Sequence, residues 1–314
     1  MKKVRTKWFY YGFVLFAWVS YIVLTAAAPK TSSTLHLSKF ILVSISVTLF
    51  IPYLLTWLIA VLGLYHFGQF YRVARQKHLA NSIAFGLIMW GLGFLILDLI
   101  TSPFFSSFRN LWQANHRAVV ELTIISNYAH IIFTLVAFGL LFQGARSLAR
   151  SSHYASGVRS RPLPALVATA LFTLLFSIAV FSNPTRQTST QSGQFATYYL
   201  PDFLILVTII IPLAITWLLG LQAALNTEQY VHSLSHPMWR LAIVRFFHGL
   251  LAVLSSAIIL QGITMLGSQQ LQTINLALIL AIVYLFIVIQ AIGYLFIKAS
   301  AKQLRKLVEV GVGP

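Results

Sequence analysis

Thr123, Asn127, His130 and Thr134 follow one another at steps of four, three and four, inside an otherwise apolar run. On a helix that spacing puts all four side chains on one face. A histidine in such a stripe can exchange a proton near neutral pH or ligate a metal. His248 supplies a second imidazole within an apolar run, on a helical face with Arg245 and Ser255. Two histidines facing each other inside a membrane suit axial haem ligation, a quinone site or a proton relay. Counted at 1.5 Å per residue, His248 stands about 12 Å and His130 about 22 Å from the basic ends of their runs, which weighs against a pair. Asp98, Glu121 and Asp202 are three of the 5 acids in the chain, and Asp98 lies deepest. They fit either a cation-attracting vestibule or plain interfacial carboxylates matched by Arg109, Arg117 and Arg186. The candidate binding residues are therefore Thr123, Asn127, His130, Thr134, His248 and Asp98.

Other chemistry is excluded. The chain has no cysteine, so thiolate catalysis, cysteine-ligated clusters and disulfides do not arise. It holds no phosphate-cradling glycine loop, no HExxH and no GxSxG, and its loops are too short for a catalytic domain. The reading leans away from an enzyme.

The elements that must position these residues follow from composition. The chain has 314 residues, 58% hydrophobic and 9% charged, with a mean hydropathy of +0.82. Water-facing domains carry about 25% charged residues, so this chain belongs in a bilayer. Its 22 bases against 5 acids gather in short segments between apolar runs, the pattern of membrane loops rather than of a nucleic-acid binder. A helix needs about 20 apolar residues to cross the hydrocarbon, and about eight such runs are present. They lie near residues 8–28, 39–66, 80–101, 118–145, 163–182, 200–226, 240–267 and 273–297. The basic N-terminus followed by the first run also fits a cleaved signal peptide. Leu15-Phe16 reappears as Leu171-Phe172 in the fifth run, which favours a retained first helix.

Lys and Arg alternate between successive loops. About 17 of them fall on the side that holds both termini, and about 5 (Lys30, Lys39, Arg109, Arg117 and Arg186) on the other. That bias puts the N- and C-termini in the cytoplasm and the protein in the cell membrane.

One motif recurs. Val47 to Leu58 and Val207 to Leu218 share V-T-x-x-I-P-x-x-x-T-W-L. Pro52 and Pro212 each remove a helical hydrogen bond, and Thr56 and Thr216 sit one turn on, so both sets read as a kink or hinge. Gly86 and Asp98 of the third run correspond to Gly249 and Gln261 of the seventh, and Gly139 and Ala145 of the fourth to Gly293 and Ala299 of the eighth. The expected fold is an all-α bundle of eight membrane helices, built as a tandem, parallel four-plus-four repeat. Residues 1–150 form the first unit, 151–162 a basic polar linker and 163–314 the second unit. A pair of four-helix halves resembles the architecture of haem A synthases. That family repeats histidines in each half, whereas His66 and His130 have Asn226 and Tyr284 opposite them, so the resemblance covers helix count alone. The function expected is a membrane-embedded binding, transport or scaffold component, in contact with lipid and other membrane subunits. The alternative is a haem- or quinone-binding redox protein using His130 and His248.

Overall fold

The computed structural model describes residues 39–79, 81–111, 116–156, 163–181, 202–266 and 276–314. Among these, every regular element is helical: α1 (Lys39–Gln76), α2 (Ser82–Leu111), α3 (His116–Ser156), α4 (Leu163–Phe181), α5 (Asp202–Ile205), α6 (Ile211–Ser233), α7 (Pro237–Leu266) and α8 (Leu276–Glu309). A π-helical turn, Leu206–Ile210, runs from α5 into α6. Helices are what a bilayer requires, because hydrocarbon offers no partner to an unpaired backbone group. Six stretches are long and apolar enough to cross: Leu54–Gln76, Ser82–Leu99, Tyr128–Ser151, Leu206–Ser233, Pro237–Ser256 and Tyr284–Glu309. They make the chain a multi-pass membrane protein. The fifth expected run forms α4, with 19 residues, and the first run, at 8–28, lies outside the described residues.

The helices touch in a closed circuit. α2 packs along α3, α3 along α6, α7 along α8, and α8 returns to α1. Thinner contacts join α1 to α2 and α6 to α7, and α4 leans on α6 from outside the circuit. Without a hydrophobic force between helices in lipid, close approach depends on small residues. At the α7–α8 contact, a Cβ on Gly249 would lie 2.5 Å from the Gly293 carbonyl oxygen. At the α2–α3 contact, a Cβ on Gly144 would lie 2.9 Å from the Ala84 carbonyl oxygen. An aromatic cluster fills the space between α1, α2 and α7. Phe70 meets Phe85 at 4.9 Å and Trp239 at 6.4 Å between ring centroids, and Phe67 meets Phe246 at 5.3 Å.

The basic end of the bundle is locked by helix termini. α1 and α8 stop in the same way. His78, at φ 51°, and Gly311, at φ 81°, take the left-handed conformation just past each helix. The amide of the next residue then reaches back to the last turn: Leu79 N to Ala74 O at 3.0 Å, and Val312 N to Leu307 O at 2.9 Å. The Lys77 ammonium donates to the carbonyls of Val308 at 2.6 Å and Glu309 at 2.8 Å. It thereby neutralises the negative end of α8 with a base that follows α1. Trp239 Nε1 donates to the Val312 carbonyl at 3.0 Å, which ties the start of α7 to the same tail.

Candidate functional site

One short polar contact between helices is not predicted by the histidine stripe alone. His130 Nδ1 lies 2.5 Å from Asp98 Oδ1, joining α3 to α2. Asp98 is 5% exposed, so its carboxylate is shielded by the packed helices. The two helices are consecutive in the chain and pack along each other, and positions 98 and 130 are equally far in sequence from position 114. Residues equidistant from the turn of an antiparallel pair meet at one height. That symmetry is a signal in the sequence that could have found the pair.

The rest of the stripe divides. Thr134 is buried, but its hydroxyl donates to the His130 carbonyl at 2.8 Å and is satisfied within its own helix. The side chains of Thr123 and Asn127 lie outside the described residues.

α8 brings two further polar groups to the interior. Tyr294, 1% exposed, and Gln290, one turn before it and 5% exposed, are both core residues. The Tyr294 hydroxyl and the Gln290 carbonyl oxygen make no hydrogen bond among the described residues. The Asp98 carboxylate lies within electrostatic range of Tyr294. Helix register agrees. Counted from the basic ends of α2 at Ser82 and α8 at Glu309, both residues stand about 22 to 24 Å along their helices.

His248 lies on the neighbouring helix α7. It precedes Gly249, whose backbone touches that of Gly293 beside Tyr294. Counted from Pro237 at the basic end of α7, His248 stands about 16 Å along its helix, short of the 22 to 24 Å of Asp98 and Tyr294. A side-chain contact joins His130 to Asp98 across α3 and α2, whereas His248 stands on α7. Arg245, one turn nearer the basic end, donates to Gln303 Oε1 at 3.2 Å.

The proline motifs hold no ligand-like arrangement of their own. Thr56 Oγ1 donates to the Pro52 carbonyl at 2.8 Å, and Thr216 Oγ1 to the Pro212 carbonyl at 2.9 Å. Both hydroxyls thus reach the carbonyl of the proline one turn back, rather than the carbonyl that the proline ring orphans. The second copy differs in its backbone. The π-helical turn ends at Ile210, two residues before Pro212, while α1 is α-helical through Pro52. A wider turn accommodates the missing amide. Thr208, within it, donates to the Leu204 carbonyl at 2.6 Å and shares a hydrogen bond of 2.9 Å with Tyr128 of α3.

A small cleft opens where α3, α6 and α7 meet, lined by Phe138, Leu141, Ala223, Phe247, Leu250 and Leu254. Its walls carry no polar side chain and offer a solute nothing to recognise. Among the described residues, no group of three or more histidines or carboxylates could hold a metal ion. Comparison with protein-family models, curated proteins and solved structures finds no match to the chain.

Proposed function

We propose that this protein is a membrane-embedded binding or transport component whose polar centre is the Asp98–His130 pair. The observation that carries the proposal is that contact, buried between α2 and α3 within the span of apolar helix. Ionisable groups buried among apolar membrane helices are costly to keep and mark solute or proton routes. A carboxylate and an imidazole sharing a proton can offset the charge of an entering solute by gaining or losing that proton. Tyr294 and Gln290 offer a hydroxyl and an amide oxygen at the same level.

Support for a tandem four-plus-four repeat comes from the circuit of contacts. Exchanging α1, α2 and α3 for α6, α7 and α8 maps each contact onto another: α2–α3 onto α7–α8, α3–α6 onto α8–α1, and α1–α2 onto α6–α7. Eight crossings, cytoplasmic termini and a place in the cell membrane follow from the apolar runs and the distribution of Lys and Arg. Lipid-facing apolar side chains leave room for further membrane subunits beside it.

The test is a thermal-shift screen of the purified protein in detergent against inorganic cations, organic amines and amino acids. A stabilising solute whose effect disappears in Asp98→Asn and in His130→Gln supports the reading. Identical responses of both variants and the wild type across the screen would remove it.

A redox protein is the second reading, favoured by one detail. A carboxylate on Nδ1 fixes the imidazole and directs Nε2 away from it, as the outer partners of ligating histidines do. His130 and His248 would then be the residues that hold a haem or a quinone. An absorption spectrum without a Soret band, together with quinone content unchanged in His130→Ala, rules this reading out.

A further inference from the structure

We infer that the α1–α8 seam binds the headgroup of an anionic phospholipid in the leaflet at the basic end, through Lys298, Lys302 and His66. This inference is independent of the Asp98–His130 reading, from which the seam is separate.

Lys298, Lys302 and Arg305 fall at steps of four and three, which sets them along one face of α8. All three lie within electrostatic range of the His66 imidazole on α1. The face therefore points at α1, its packing partner. Arg305 is engaged: it pairs with Glu309 at 2.6 Å and donates to Gln69 of α1. Neither Lys298 nor Lys302 forms an ion pair among the described residues. His66 Nδ1 is buried and makes no hydrogen bond within the described structure, and the imidazole also meets the Gln69 side chain.

Depth sets the ligand class. Lys298 is the first charged residue after the apolar run of α8, and His66 closes the apolar run of α1. Both stand about 15 to 17 Å from the basic ends of their helices, so three turns of each helix extend beyond them. That level is the boundary between hydrocarbon and headgroup, where lipid phosphate lies. On the hydrocarbon side of these bases, Leu62 and Tyr65 of α1 and Leu295 of α8 are exposed. An acyl chain can lie along them while the phosphate meets the two ammonium groups. A soluble phosphate has the charge but no use for the apolar strip. Anionic headgroups near paired bases are held by charge, with about tenfold or more in affinity resting on two lysines.

Native mass spectrometry of the full chain in mild detergent tests this, using dioleoyl phosphatidylglycerol and dioleoyl phosphatidylcholine with identical acyl chains. The expected result is a retained phosphatidylglycerol adduct, at least about tenfold weaker in Lys298→Gln/Lys302→Gln and unchanged in Arg150→Gln, an exposed base on α3. Thermal unfolding of the double variant without added lipid should match the wild type, because both side chains are free of ion pairs. Equal retention of the two lipids, or an undiminished adduct in the double variant, would overturn the inference. So would stabilisation of the wild type by inorganic phosphate at the same concentration, which would assign the seam to a free anion.

Discussion

At the scale of single residues, Asp98 and His130 depend on each other. Removing one member of a buried polar pair takes a partner from the desolvated other, which costs about 3 kcal/mol or more. His130→Ala and Asp98→Ala should each lower the unfolding free energy by about that amount. The double substitution should cost at least about 1 kcal/mol less than the sum. Denaturant unfolding in detergent micelles measures all three, and strictly additive costs would show that the two side chains are not coupled. Thr134 should behave differently. Its hydroxyl serves only its own helix, so Thr134→Val should change stability by no more than about 1 kcal/mol and leave any ligand response intact.

At the scale of elements, the helix ends and crossings make opposite demands on small residues. α1 ends on His78 in the left-handed region, a conformation that costs a side-chain-bearing residue about 1 kcal/mol. The equivalent position of α8 is Gly311. His78→Gly should therefore raise stability by up to about 1 kcal/mol, read as a higher midpoint of thermal unfolding; a lower midpoint would mean that the imidazole makes a contact that matters more than the backbone. Gly249→Ala should do the reverse. Its Cβ would meet the Gly293 carbonyl oxygen at 2.5 Å, backbone against backbone, so α7 and α8 must part. Gly139 has nothing within 4 Å of such a Cβ, and Gly139→Ala should be neutral or mildly stabilising. Circular dichroism melts of the two alanine variants make the comparison, and equal effects would contradict the close crossing. These elements were legible in the sequence because a bilayer demands long uncharged helices, and the apolar runs mark them directly. The crossings were less so, since every face of a membrane helix is apolar and periodicity does not say which face meets protein. Asp98 and His130 were legible one at a time. Their pairing needed the equal sequence distance of the two positions from position 114 to be used as a ruler. The bond from Lys77 to the Val308 carbonyl left no trace, because a backbone acceptor 231 residues away carries no side-chain signal.

At the scale of the whole molecule, the order of packing differs from the order of the chain. α3 closes on α6 and α8 closes on α1, so the seams between the first and second sets of helices are as extensive as those within them. In sequence, residues 157–162 separate α3 from α4. Membrane helices insert before they associate, and packing alone then holds them together. A chain cut within that segment should consequently reassemble. Co-expressed fragments 1–160 and 161–314, with an affinity tag on one, should copurify from detergent as a one-to-one complex. Phe67 with Phe246, and Lys77 with the end of α8, join the fragments in addition to the two long seams. Lys77→Ala should weaken the complex of fragments more than it destabilises the intact chain. In the intact chain the linker keeps α8 near α1 at high effective concentration, whereas in the cut protein that contact must be made between separate molecules. Recovery of each fragment as a folded monomer, with no complex, would show that the two sets of helices are independent units.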